Sequence, residues 1–177
     1  MKNLFFYLAI IIMMFAAPAC QDARHAKNYN DKTLADDEAI NFIRQGLESG
    51  LTEIKAAGVA KTQSTNPRVI RFADMMITDH TQAGNELRKI ETDKLVDQRD
   101  AINAEHEEMI TGLAAKSGPE FDNAYIQMML KDHEEAIELF KSVGNNTSGM
   151  IQKFAAQTLP KLQMHLDSAK AINASLK

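Results

Sequence analysis

A six-residue pattern that occurs twice constrains this chain more than any other feature. Met75–His80 has the sequence Met-Met-Ile-Thr-Asp-His, and Met128–His133 repeats it 53 positions later as Met-Met-Leu-Lys-Asp-His. Apolar residues recur every three to four positions around both copies, which predicts a helix in each case. In each helix the histidine lies on the apolar stripe and not on the polar face. The repeat therefore predicts two buried imidazoles on two packed helices, and a polar or metal site between them.

The same helical period appears in four long segments and one short one. The long helices are predicted from about Asp36 to Gln63, from Asn66 to about Glu91, from Glu120 to Val143 and from Ser148 to Ser175. A short amphipathic helix is predicted over residues 102–113, inside a polar stretch that runs from residue 93 to residue 118. No segment has the alternation of a strand. The sequence thus predicts an all-α fold, an up-down four-helix bundle whose long crossover carries a short extra helix.

The N-terminus has the features of an export signal. Lys2 supplies a positive charge, an apolar run extends from Leu4 to Ala17, and small residues follow up to Cys20. Cys20 is the only cysteine and stands where a bacterial lipoprotein has its acylated cysteine. Two outcomes stay open, namely lipidation at Cys20 with attachment to a membrane, or plain secretion after cleavage behind Ala19.

These features predict three parts: a signal peptide at 1–19, a polar tether at 20–35 and a helical domain at 36–176. The expected location is the periplasm or, through the lipid, the outer membrane. The net charge is −4 and no run of Lys or Arg occurs, which argues against nucleic-acid binding. One cysteine excludes an intramolecular disulfide. The sequence does not identify a protein partner, and it contains no nucleophile–base pair or phosphate loop that would indicate an enzyme.

Four polar residues lie on apolar stripes, one on each long helix: Glu53, His80, His133 and His165. Counted from the turn that joins the first two helices, Glu53 lies about 15 Å away and His80 about 20 Å away at 1.5 Å per residue. Side chains lean toward the N-terminus of their own helix, so these two residues are expected to meet. In the second pair His133 lies about 15 Å and His165 about 24 Å from the turn, so His165 is the less secure member.

Two hypotheses account for buried polar groups on four helices. A divalent transition metal (Zn, Cu or Fe) would satisfy all four at once, because imidazole and carboxylate suit such ions. Asp79 and Asp132 would then support the histidines or add ligands. Alternatively, the histidines, the acids, Tyr125 and water form an organic network that only fixes helix packing. His106, among three glutamates, and His25, in the tether, are expected to be solvated and to lie outside the site.

The chain resembles the bacterial envelope family known as domain of unknown function 4142. The resemblance spans residues 36–176 and rests on short motifs: Asn66-Pro67, Phe72-Ala73, Asp79-His80, Phe121-Asp122 with Tyr125, Asp132-His133, Leu159-Pro160 and His165-Leu166. It implies an exported, ferritin-like helical bundle and supplies no established activity.

The chain departs from the di-iron pattern of ferritin-like enzymes. Such enzymes carry Glu-x-x-His on two helices, whereas Ile77, Leu130 and Leu162 stand three residues before the three histidines here. Ferroxidase chemistry is therefore not predicted, since a fold alone does not confer a reaction.

Overall fold

The computed structural model describes residues 36–96 and 101–176. They form five helices: α1 (Asp37–Gln63), α2 (Pro67–Asp93), α3 (Ala104–Ala114), α4 (Gly118–Ser142) and α5 (Gly149–Ser175), with a 3₁₀ turn at Val143–Asn145. These described ranges contain no strand, which confirms the prediction of an all-α fold. The predicted signal peptide, the tether, Cys20 and His25 lie outside the described residues.

Side-chain caps fix where three of the helices begin. The carboxylate of Asp36 accepts a hydrogen bond from the backbone N–H of Ala39, and Asn66 and Asn103 cap α2 and α3 in the same way. Such caps satisfy N–H groups that have no partner within the helix. α5 continues through Pro160, although proline removes one of its backbone hydrogen bonds.

The four long helices pack as neighbours around a common interior. α1 contacts α2 and α4, and α5 contacts the same two helices from the opposite side. Asn146, after α4, donates to Glu38 at the start of α1, and Arg68 at the start of α2 donates to the carbonyl of Ala171 near the end of α5. Neighbouring long helices are therefore antiparallel, while α2 and α4 run in the same direction.

The segment between α2 and α4 has to return along the length of the helices, because those two helices are parallel. It carries α3, which packs against α1 and α4. The backbone N–H of Asn103 and the ring of His106 both contact Glu48 of α1. The prediction that a long connection carries a short helix matches this arrangement.

The interior consists of two apolar clusters. One lies around Phe42, Phe140 and Phe154, and the other around Phe72 and Tyr125. The long helices pass from one cluster to the other at or next to their inward-facing polar residue: between Leu47 and Ala56 on α1, between Met129 and Ala136 on α4, and one residue after His165, between Leu166 and Ala169, on α5. The polar residues therefore form a layer between two dry clusters. Among residues 36–96 and 101–176, no helix has the length and apolar character needed to cross a membrane.

Candidate metal centre

The structure brings the four predicted polar residues together in this layer. Glu53, His80, His133 and His165 are at most 8% exposed. The three imidazoles each offer a nitrogen, and these nitrogens all lie within 4.8 Å of one another. Nε2 of His80 lies 2.7 Å from a Glu53 carboxylate oxygen, and Nε2 of His133 lies 3.7 Å from the same oxygen.

His165 lies as close to His80 as His133 does, with ring centroids 5.4 Å apart, and its Nδ1 lies 3.3 Å from Nε2 of His133. The distance estimated from the sequence was too short on the α4 side, because it was counted only from His133 to Val143. The 3₁₀ turn at Val143–Asn145 extends the α4 side two residues beyond Val143, which adds about 4 Å at about 2 Å per residue. The lean of both side chains toward their helix N-termini closes the remaining gap.

Hydrogen bonds fix the tautomers of two of the histidines. Nδ1 of His133 lies 2.9 Å from the carbonyl oxygen of Met129, and a carbonyl only accepts, so Nδ1 carries the proton. Nε2 of His165 lies 2.8 Å from a carboxylate oxygen of Asp79 and carries the proton there. The nitrogens left without protons, Nε2 of His133 and Nδ1 of His165, are the two that face each other at 3.3 Å.

Asp79 and Lys161 support His165 from the outer side. The Asp79 carboxylate accepts from His165 with one oxygen and from Nζ of Lys161, at 2.9 Å, with the other. Burial would raise the pKa of Asp79, but these donors outweigh it and the pKa falls below its usual value. Lys161 is not among the residues predicted for the site. Its position four residues before His165, on the same helix face, is the signal that could have identified it.

Glu53 is a buried carboxylate without a hydrogen bond. Its contact with Nε2 of His80 is short, but the geometry is not that of a hydrogen bond, and both Glu53 oxygens lack a partner among the described protein groups. The contact is therefore one of charge. Burial opposes ionisation of Glu53, but the charges of His80 and His133 lower its pKa to about 2. Burial likewise opposes the protonation of His80, but Glu53 raises the pKa of that imidazole.

The other two imidazoles are held neutral. Burial lowers the pKa of His133, with only partial compensation from Glu53. Burial also lowers the pKa of His165, to about 4, despite its bond to Asp79. The layer thus contains one carboxylate, one imidazole that favours its proton, and two neutral imidazoles whose lone pairs point inward.

Three further residues lie differently from the predictions. Asp132 forms no hydrogen bond or ion pair with the three imidazoles in the described chain, and it lines a separate pocket with Glu48 and His106. His106 is not simply solvated, since it is half-buried and its Nδ1 lies 2.9 Å from Glu48. The hydroxyl of Tyr125 is buried and has no hydrogen-bond partner among the described groups, so it does not join a protein network with the histidines.

A solved structure has the same fold. A DUF305 fragment from Deinococcus radiodurans matches with a TM-score of 0.73 and 12% identity, over 80% of this chain and 99% of that one. At this identity the likeness shows a common fold and nothing about function. The comparison with curated proteins gives no match.

The family comparison agrees with the motifs. The family described as "Domain of unknown function (DUF4142)" matches residues 23–172. That range includes α1, α2 and α4, all of α5 except its last three residues, and every residue of the histidine layer. The match covers most of the 177 residues of this chain, and the chain therefore belongs to the DUF4142 family.

Proposed function

We propose that this protein binds one transition-metal ion, Zn²⁺, Cu or Fe, through His80, His133 and His165, with Glu53 as the fourth ligand. The observation that carries the proposal is the pair of unprotonated nitrogens on His133 and His165, 3.3 Å apart. Two lone pairs at that distance repel each other unless a metal ion or a proton lies between them, and burial disfavours the proton because it lowers the pKa of both imidazoles. Ligand nitrogens about 2.0–2.1 Å from a tetrahedral Zn²⁺ are themselves about 3.3–3.4 Å apart, which fits the observed separation.

The surrounding groups have the character of support for metal ligands. Metal-bound imidazoles usually donate their other N–H to a carbonyl or a carboxylate. His133 donates to the carbonyl of Met129, and His165 donates to Asp79. Three imidazoles and one carboxylate form a donor set that suits Zn, Cu or Fe and is a poor match for Mg or Ca.

A purely organic network explains these groups less well. Such a network stabilises a fold when its buried members are hydrogen-bonded. Both oxygens of Glu53 and the hydroxyl of Tyr125 lack hydrogen bonds to the described protein groups. A metal ion bound by Glu53 would satisfy its oxygens directly, whereas the organic network leaves them only the nearby charge of His80.

The test is thermal unfolding of metal-free protein with and without added Zn²⁺, Cu²⁺ or Fe²⁺. A ligand at about 100 times its Kd stabilises the folded state by about 2.7 kcal/mol, so the melting temperature should rise at pH 7. The gain should fade toward pH 5, because the proton that His80 favours competes with the metal for this imidazole. His80→Ala and His133→Ala should each remove the gain.

His106→Ala is the matched control, because this histidine is also paired with a glutamate but lies outside the layer. It should leave the metal-dependent gain intact. If the two layer variants lower the melting temperature equally with and without metal, the layer is structural. A melting temperature that none of the three metals changes would overturn the proposal.

We also propose that the protein is exported to the bacterial envelope and attached to a membrane by lipid on Cys20. The support is the apolar run that ends at this single cysteine. Cys20→Ser should abolish incorporation of labelled fatty acid and release the protein into the soluble fraction. Wild-type protein that is unlabelled and already soluble would contradict the lipid anchor.

A further inference from the structure

A small cavity adjoins the histidine layer on the side of α1, α2 and α5. Its volume is about 40 Å³, and its lining includes Glu53, His80 and His165. A single water needs about 10–15 Å³ of such space, so the cavity holds a molecule of two or three heavy atoms but excludes a sugar or an amino acid. Because three of the proposed metal ligands line the cavity, a molecule bound in it would lie directly beside the proposed metal site.

The remaining wall is mostly apolar. Leu87, Phe140, Phe154 and Leu162 line it, together with small residues of α1 and α2. Burying an ion against such a wall is costly unless the charge is paired. The charged groups of the lining are paired with one another, Glu53 with His80 at 2.7 Å and Asp79 with Lys161 at 2.9 Å, so they leave no free counter-charge for an ion. The lining therefore favours a small uncharged molecule.

Glycines of α1 keep this space open. A Cβ added at Gly50 would stand 3.9 Å from Nδ1 of His80, which is ordinary contact and would fill part of the cavity. At Gly46 the added carbon would come within 2.9 Å of Leu87. Glycine costs helix stability relative to alanine, and at Gly50 an alanine would fit without a clash. Close packing of the helices therefore does not require a glycine at position 50.

The cavity also has a path to solvent. Asp79, Ala83, Thr158 and Lys161 line both the cavity and an outer depression of about 360 Å³. The ion pair between Asp79 and Lys161, at 2.9 Å, lies at this junction. The Lys161 side chain is 37% exposed, so it can move aside without unfolding a helix.

We propose that this cavity is a binding site for an uncharged diatomic molecule of the dioxygen class, which reaches it past Lys161. The contact with a metal rests on the proposed function, whereas occupancy of the cavity does not. Nitric oxide and carbon monoxide are also uncharged diatomic molecules, and the cavity would accept them as well.

The test uses dioxygen itself as a paramagnetic probe of methyl groups by NMR, on metal-free protein and on protein given Zn²⁺, which has no redox chemistry. Under dissolved dioxygen, methyl relaxation should increase several-fold more at Leu87 and Leu162 than at Leu113. Leu113 is similarly buried but lies outside the cavity lining.

Gly50→Ala and Gly58→Ala form a matched pair on α1. Gly58 is exposed, and a Cβ there meets nothing within 4 Å. Gly50→Ala should reduce the dioxygen effect at Leu87 several-fold, because the added methyl group would occupy part of the cavity, and Gly58→Ala should leave the effect unchanged. Equal relaxation at all three leucines, or indifference to Gly50→Ala, would overturn the proposal.

The same samples separate this inference from the metal proposal. Zn²⁺ uptake without a dioxygen effect at Leu87 and Leu162 would refute the cavity site alone. A dioxygen effect in protein that takes up no metal would support the cavity site and refute the metal centre.

Discussion

The two copies of the Met-Met-apolar-x-Asp-His pattern place their histidines alike and their aspartates differently. His80 on α2 and His133 on α4 both face the buried layer, with ring centroids 5.6 Å apart. Asp79 crosses to α5, where it accepts from His165 and Lys161. Asp132 faces a different pocket, beside Glu48 and His106. One motif therefore supplies a supporting carboxylate on α2 and none on α4.

The protonation of the two copies differs as well. The pKa of His80 is raised by Glu53, whereas burial lowers that of His133. The donors around Asp79 lower its pKa, while burial and the charge of Glu53 raise the pKa of Asp132 to about 7. The Asp-His pair and its helix face are the same in both copies, so the surroundings of each pair decide its protonation.

The largest expected difference between the copies is in the stability of metal-free protein. His80→Ala leaves Glu53 as an uncompensated buried charge, which costs about 3–5 kcal/mol. His133→Ala leaves the Met129 carbonyl in its helix and creates a small cavity, for a loss of about 2 kcal/mol. Urea unfolding at pH 7 measures both. Equal losses would mean that Glu53 is compensated by the whole layer and not chiefly by His80.

The two aspartates should differ in their effect on metal affinity. Asp79→Asn removes the carboxylate that orients His165 and should weaken Zn²⁺ binding about 10–100-fold. Asp132→Asn should leave the affinity unchanged, because Asp132 makes no contact with the imidazoles. Competition with a chromophoric chelator gives both constants. A comparable loss in both variants would show that the copies support the metal equally.

The smallest expected effect is an opposite pH dependence of the same two variants. Asp132 has a raised folded pKa, so it opposes folding as the pH rises from about 4 to about 7. Asp132→Asn should therefore gain about 1 kcal/mol at pH 8 and nothing at pH 4. Asp79 has a lowered folded pKa, so its stabilisation is present above its unfolded pKa and is lost as the pH falls.

Asp79→Asn should consequently lose stability at pH 8 and change little at pH 3. Chemical unfolding of both variants across this range provides the check. If both substitutions changed the stability in the same direction at pH 8, the two aspartates would not differ in the way proposed here.

The helices could be predicted from sequence because their signals are local. The apolar stripes placed the boundaries within about two residues, and the predicted cap at Asn66 does accept from the N–H of Arg68. The stripes also placed Glu53 and the three histidines on inward faces, since each helix face follows from its own sequence.

The partners of these residues could not be predicted in the same way. Asp79 and Asp132 have the same place in the same motif, and only the order of helices around the interior brings His165 to the first and α3 to the second. The position of His165 depended on a 3₁₀ turn that has no clear sequence signal. The empty space beside Gly50 depends on how closely α1 approaches α2, a distance that no single helix encodes.

The most direct test of the metal centre is X-ray absorption spectroscopy of Zn²⁺-loaded protein. The account predicts one ion per chain, with three imidazole nitrogens and one carboxylate oxygen at about 2.0–2.1 Å. His165→Ala should remove one imidazole from this shell, and His106→Ala should leave it unchanged. A shell with fewer than two imidazoles, or one that His165→Ala does not alter, would contradict a metal held between the two copies of the motif and α5.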